Sequence, residues 1–305
     1  MQVRDLSDVP SFAAVYAAAL SRSLRRHRHR QLPQVRYRVR KVRIDPARAA
    51  AFDHLVGGVA TDVVHPGILH VLAFPVSLAL MASPTFPVPL LGLIHMRNSV
   101  LQHRPLRFGE TVDVECGVQN LTPHPKGATF EAVTTLHSGR DIIATDVSTY
   151  LSRGAAARQI TSGLTTAALT PGRRAARSAA SFTPPEATAR WRLGPETGRR
   201  YAEVSGDVNP IHLSAPTARL FGFDRAIAHG MYTASRALTA ARPDMSKPLR
   251  WDVDFEAPVK LPATVDLAFR DRPGVTDYVG WRPVCGNSPA RRHFVGAVTT
   301  VGDAS

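Results

Sequence analysis

The chain has 305 residues, 44% of them apolar, and a formal net charge of +14. That length fits about two domains with real cores, so wholesale disorder is excluded. Ten of the positive charges lie in one acid-free stretch, Arg22–Arg43, leaving +4 for the rest and arguing against a basic nucleic-acid-binding domain.

The first element, "SFAAVYAAALSRS" (Ser11–Ser23), loosely resembles a leader peptide, but Asp5 and Asp8 precede the apolar run and the arginines follow it, which is the wrong charge order. Phe12, Val15, Tyr16, Leu20 and Leu24 instead form a helical stripe, which predicts a surface helix packed on the body. The Arg22–Arg43 arm carries one aromatic ring, Tyr37, and neither finger spacing nor a helix-turn-helix pattern. Its charge is read as attraction for anionic phosphates, including those of a nucleotide-tailed substrate. The most apolar segment, "GILHVLAFPVSLALMA" (Gly67–Ala82), is interrupted by His70 and Pro75 and is too short to span a bilayer. A soluble, cytoplasmic protein is expected. Cys116 and Cys285 match no metal or redox spacing and are read as two unpaired, buried or half-buried thiols in a reducing compartment.

A repeat organises the remainder. "RPLRFGETVDVE" (Arg104–Glu115) aligns with "APVKLPATVDLA" (Ala257–Ala268), both running Pro, apolar, basic, apolar and then Thr-Val-Asp-apolar. Agreement in order and context points to duplication. Ahead of each lies an apolar run of helical length, His70–Ala82 and Ala228–Ala241, the second stopped by Pro243. Behind the first lie two alternating strands, Ala128–Ser152 around a Ser-Gly-Arg turn, and behind the second a last strand, Arg291–Gly302. A central helix wrapped by a curved antiparallel sheet covers its apolar surface, so each half is predicted to be an α+β hot dog. Between them, Gly154–Ala189 has one acid and many small residues and prolines, and reads as a linker.

The halves differ in one place. The second contains Ser205-Gly206-Asp207-Val208-Asn209-Pro210-Ile211-His212; the first has "GGVATDVVHPGILH" (Gly57–His70), with an aspartate and histidines but not that order. Pro210 fixes its own φ and biases Asn209 toward extended backbone, so the chain turns here. An acid and an imidazole five residues apart across such a turn can face one cleft and hold a water between two proton acceptors, as needed to add or remove water. Asn209 could fix the loop or the ring. Gly230 opens the second central helix, where a free N–H at the positive end of the dipole suits a carbonyl becoming enolate-like. The bland readings stand beside these: Asp-x-Asn-Pro is a common turn signal, His212 a capping group, His229 a packing residue, and Asp254, Glu256 and Asp266 a solvated strand face. The histidines show no ligand spacing, and no metal site is expected.

Together the residues are more specific than their parts. Tyr-Ala-x-x-Ser-Gly-Asp-x-Asn-Pro-Ile-His from Tyr201, then Ala218-x-x-x-Gly222-Phe223, then Ile-Ala-His-Gly-Met ending at Met231, resembles the MaoC-like hydratase family. These are (R)-specific enoyl-CoA hydratases and 3-hydroxyacyl-thioester dehydratases, and "FEAPVKLPATVDL" (Phe255–Leu267) is similar to the family's following strand. The first half resembles the family's degenerate hot dog, which makes the chain similar to the double-hot-dog type of mycobacterial fatty-acid metabolism. The resemblance implies a non-catalytic hot dog with its basic N-terminal helix and arm over 1–153, a linker over 154–189 and a catalytic hot dog over 190–305. It implies Asp207 and His212 as the catalytic pair, Gly230 N–H on the thioester carbonyl and Asn209 in support, with no cofactor. The substrate would be an acyl-CoA or acyl carrier protein thioester, of medium to long chain, with a monomer or a homodimer of such chains both fitting. One departure is Leu238 where some single-domain members carry a serine, with Ser235 one turn earlier. The competing readings are an acyl-thioester-binding or interaction module without catalysis, which would have no reason to keep the pair, and a hot-dog thioesterase, which the Asn-Pro-x-His order disfavours.

Overall fold

Between Gly127 and Ser138, Ala128, Phe130, Ala132, Thr134 and Leu136 point inward while their neighbours stay half-exposed. This period of two marks a strand with one face on a core, and the same logic builds the sheet of the computed structural model. The structure describes residues 2–23, 29–162 and 182–302. In chain order the first part contains β1 (Gln2–Leu6), α1 (Phe12–Ser23), β2 (Val35–Arg43), α2 (Pro46–Leu55), α3 (Pro66–Met81), β3 (Ile94–Gln102), β4 (Thr111–His124), β5 (Gly127–Ser138), β6 (Asp141–Arg153) and α4 (Ala155–Ile160). The second contains β7 (Ala189–Leu193), α5 (Thr197–Ser205), α6 (Pro210–Leu213), α7 (Ala215–Arg219), α8 (Gly230–Ala241), β8 (Leu249–Phe255), β9 (Ala263–Arg272), β10 (Val275–Arg282) and β11 (Arg291–Thr300).

All eleven strands form one sheet in the order β1-β2-β4-β5-β6-β3-β8-β11-β10-β9-β7. Removing β1 leaves two runs of five with the same internal order, β2-β4-β5-β6-β3 and β7-β9-β10-β11-β8, meeting at the antiparallel β3–β8 pair. The duplication in the sequence is therefore a duplication of topology, and the fold is the α+β double hot dog. The expected linker 154–189 is described only at its ends, where α4 and the first residue of β7 lie; the rest falls largely outside the described residues.

The two central helices differ in how they are covered. In α3, 14 of 16 residues are buried, whereas α8 buries 7 of 12. α3 also begins earlier than the apolar run alone predicts: His65 is its N-cap, and its Nδ1 accepts the Gly67 N–H at 2.8 Å. The helices approach at Gly67, where an added Cβ would sit 2.4 Å from Ser235 Oγ. Ser235 thus belongs to the helix contact rather than to the reacting centre, and Leu238, beyond it, is fully buried.

Two expectations are corrected. Asp266 is not a solvated residue: it is 5% exposed and held by both Nε and Nη2 of Arg190. The β2 part of the basic arm runs in the sheet, with Arg38 and Arg40 on Asp5 and Arg36 on Glu115. Residues 24–28 of that arm lie outside the described residues. Neither cysteine is in a disulfide; Cys116 is buried as expected, but Cys285 is exposed, because it lies in the turn between β10 and β11. Among the described residues no helix is long and apolar enough to cross a membrane.

Candidate active site

The turn between α5 and α6 is made by local chemistry. α5 ends at Gly206, whose φ of 79° closes the helix in the left-handed region that favours glycine. The Asp207 N–H then donates to Ser205 Oγ (3.1 Å), and the Asp207 Oδ1 accepts the Asn209 N–H (3.1 Å). Asn209 caps α6 in turn, its Oδ1 accepting from the Ile211 N–H at 3.3 Å, with Pro210 in the first helical position. Of the two roles open to Asn209, loop or ring, its contacts on the turn are those of the loop.

His212 sits on α6 with its backbone N–H on the Asn209 carbonyl (3.0 Å). Its Nδ1 is 2.8 Å from the Ile227 carbonyl oxygen, an acceptor only, so Nδ1 carries the hydrogen and Nε2 presents a lone pair. α5 packs closely on the backbone of α6, since a Cβ on Gly198 would fall 1.9 Å from the His212 carbonyl oxygen. His229, expected only to pack, is in the site. Its Nε2 donates to the Asp207 carbonyl at 3.0 Å and lies 3.6 Å from Asp207 Oδ2, and its ring stacks on His212 with centroids 3.7 Å apart. Gly230 follows as the first residue of α8, and its N–H has no hydrogen-bond acceptor among the described residues.

Electrostatics favour two proton acceptors here. Burial raises the Asp207 carboxyl above the ordinary carboxylate value, opposed by His212, the Asn209 N–H, His70 and Tyr16. Burial pushes the His212 imidazole down, and His229 adds to that. His229 is itself lowered to about 3 by burial. One oxygen of Asp207 and one nitrogen each of His212 and His229 lie within 4.8 Å of one another, the composition of a small metal-ligand set. The rings, however, are stacked with only 27° between their planes, so their in-plane lone pairs run side by side. Sharing a transition metal requires them to converge on one point about 2 Å away. The arrangement fits a held water better than an ion.

The first half keeps a histidine but lacks the backbone donor at the matching place. His65 caps α3 with φ −60°, ψ 133°, as His229 caps α8 with φ −61°, ψ 135°. The next residue is Pro66 in α3 and Gly230 in α8. A proline has no N–H, so the first half offers no backbone donor there.

Several neighbours escaped the sequence reading. Tyr16 of α1 has its hydroxyl 3.5 Å from Asp207 Oδ1, across 191 residues of sequence. Tyr201 packs on His229 at 4.7 Å and on Phe52 of the first half at 6.1 Å. In the first half His70 is 3.1 Å from Asp146, which also accepts from Asn98 and Ser148, while His95 stacks between His70 and Tyr150. Tyr201 stood in the motif without a role of its own, and for Tyr16 the stripe said that α1 packs without saying on what.

Comparison with known proteins places the chain by sequence and by fold. The family model described as a MaoC like domain matches residues 176–272. The chain is 33% identical over 254 residues to the 3-hydroxyacyl-thioester dehydratase X of Mycobacterium tuberculosis, covering 82% of this chain and 84% of that one. The crystal structure of that organism's HtdX superimposes with a TM-score of 0.70 at 29% identity, over 87% of this chain and all of the other. A shorter match, 35% over 71 residues, 22% of this chain and 45% of the other, is to the 3-hydroxybutyryl-CoA dehydratase of Methylorubrum extorquens.

Proposed function

The chain belongs to the MaoC-like dehydratase family, and on that premise we propose that it interconverts (3R)-3-hydroxyacyl thioesters and trans-2-enoyl thioesters in fatty-acid metabolism. The observation that carries the reading is the meeting of two proton acceptors, Asp207 and His212, within 4.8 Å of each other in the half whose central helix opens with a glycine N–H.

In hydration, a water donates its hydrogens to the Asp207 carboxylate and to His212 Nε2. As its oxygen bonds to C3, one proton passes to this pair, and negative charge moves to the thioester oxygen, where the Gly230 N–H meets it. The pair then delivers a proton to C2. Dehydration reverses the steps: a C2 proton leaves to the pair, and the 3-hydroxyl departs as water after receiving one. The reaction is complete in protons and electrons without a redox or metal cofactor. The thioester is carried by coenzyme A or an acyl carrier protein. The reading extends to medium and long acyl chains, with the first half, whose central helix opens with Pro66 in place of a glycine N–H, accommodating the tail.

The test is loss of enoyl-thioester absorbance with crotonyl-CoA and a 2-enoyl-CoA of about twelve carbons. Asp207→Asn and His212→Gln should fold and lose at least about 100-fold in kcat, a usual contribution for a general acid or base. A wild type inert on both substrates that still binds acyl-CoA would count against a CoA hydratase; free thiol in place of hydrated product would mean a thioesterase.

A further inference from the structure

We propose that Tyr16 is a positioning residue for Asp207, so that α1, an element of the first half, is part of the second half's active site. The inference rests on the reading of Asp207 given above and adds a residue to it.

The route by which Tyr16 arrives is built into the topology. β1 pairs with β2 in parallel, from Gln2 opposite Val35 to Leu6 opposite Val39, the only parallel pair in the sheet described. Parallel neighbours need a crossover, and α1 is that crossover. Asp5, gripped by Arg38 and Arg40 across the pair, fixes the strand from which the helix departs. The helix buries one stripe: Phe12 and Ala19 are below 9% exposed, Val15 and Tyr16 half-buried, and Leu20 faces outward. Phe12 touches Phe74 of α3 at 5.4 Å, and its ring lies 3.2 Å from where a side chain on Gly206 would begin. α1 is therefore pinned both to the first central helix and to the residue before Asp207.

One turn beyond Phe12, the Tyr16 hydroxyl lies 3.5 Å from Asp207 Oδ1, and the Asn209 side chain is its second partner. Oδ1 thus has two donors, the Asn209 N–H and the Tyr16 O–H, while Oδ2 is left on the side of the histidines. Two donors on one oxygen fix the carboxylate plane and aim the other oxygen. At 3.5 Å the contact is longer than an ordinary O–H···O bond, a spacing common in catalytic networks that tighten around substrate. A donated hydrogen bond also favours the ionised carboxylate against the cost of burial. The other groups bearing on Asp207 are His70 of α3, Tyr150 of β6, Tyr201 of α5, His212 of α6 and His229 at the start of α8, with Arg48 of α2 on the carbonyls just before it.

The test is Tyr16→Phe, which keeps the ring and removes the hydroxyl, measured as kcat and KM against pH beside wild type and Asp207→Asn. With the donor gone, Asp207 is harder to ionise, so the acid limb of the kcat profile should move to higher pH. At neutral pH kcat should fall about tenfold, the effect of one hydrogen bond to a charged group, with KM within about twofold. Tyr16→Ala should show the same shift of the acid limb plus a lower melting temperature. A packing role alone predicts a different result: a Tyr16→Phe profile superimposed on wild type, with losses confined to the alanine variant. That result, with active wild type and a dead Asp207→Asn, would overturn this inference and leave the underlying reading standing. Wild type inert on every hydroxyacyl and enoyl thioester would overturn both.

Discussion

The imidazoles of His212 and His229 lie face to face, 3.7 Å between centroids and 27° from parallel, and each anchors one nitrogen on a backbone carbonyl. His212 uses Nδ1 on Ile227 and His229 uses Nε2 on Asp207. The stack holds the reacting ring from the side while His229 ties the aspartate's own backbone to the start of α8. Burial, and after it the neighbouring His229, keeps His212 a neutral acceptor.

Removing His229 should therefore act through position. We expect His229→Ala to lower kcat about 10- to 100-fold, since both the stack and the bond to the Asp207 carbonyl disappear, and to cost about 1–3 kcal/mol of stability. His229→Phe restores a flat ring but not the donor and should fall between wild type and alanine. Steady-state kinetics with a urea melt on each variant separates the two contributions.

Gly230→Pro isolates the amide. The first half shows that the helix tolerates proline here, because Pro66 occupies the same position in α3, and the backbone of His229 is already in the extended region that a following proline requires. The substitution should leave the fold intact and lower kcat about 10²- to 10³-fold, the usual loss for one oxyanion donor. Gly230→Ala is the control: it keeps the N–H and adds only a Cβ at 3.0 Å from the Phe255 ring. A similar loss in both variants would point to crowding by Phe255 and not to the amide.

The sequence carried the site's local part and little of its long-range part. The turn was legible because Asp207, Asn209, Pro210 and His212 lie within six residues and make one another's hydrogen bonds. The repeat was legible because both halves need the same strand after the same loop. Tyr16 and Arg48 were not, since each reaches the catalytic turn across more than 150 residues, a separation no periodicity encodes. Asp266 was misread for a related reason: alternation assigns a face, and only the pairing of β7 with β9 brings Arg190 over it.

Acid should destabilise the protein well before its carboxylates are neutralised. Burial lowers His65, His95 and His229 to about 3 and His293 to about 4, and lowers His212 as well. Each is neutral in the fold yet takes a proton in the unfolded chain below about 6.5, so its contribution is complete above that pH and is lost as pH falls toward the folded value. Asp53, raised to about 6, and Asp207, also raised, work in the opposite sense above the unfolded carboxylate value. These five histidines outnumber the two aspartates, leaving a surplus of up to three protons bound on unfolding and a slope of up to about 4 kcal/mol per pH unit. Melting temperature should therefore drop steeply between pH 6.5 and 4.5. A flat profile there would mean that these imidazoles are protonated in the fold.

Arg48 should couple stability to activity across the two halves. From α2 its Nε and Nη2 donate to the carbonyls of Val204 and Ser205 at 2.6 and 2.7 Å, placing a first-half cation on the last turn of α5, two residues before Asp207. A charge at that helix end is favourable, and two charge-assisted bonds to part-buried carbonyls are lost when it goes. Arg48→Met keeps the apolar stem and should cost about 2–4 kcal/mol, read as a lower urea midpoint, with kcat down about tenfold as the Asp207 turn loosens. Arg48→Lys returns the charge without the fork and should recover part of the stability but little of the rate, because one ammonium cannot hold both carbonyls in register. Full recovery by lysine would mean that charge alone, and not the fixed geometry of the turn, is what the first half supplies.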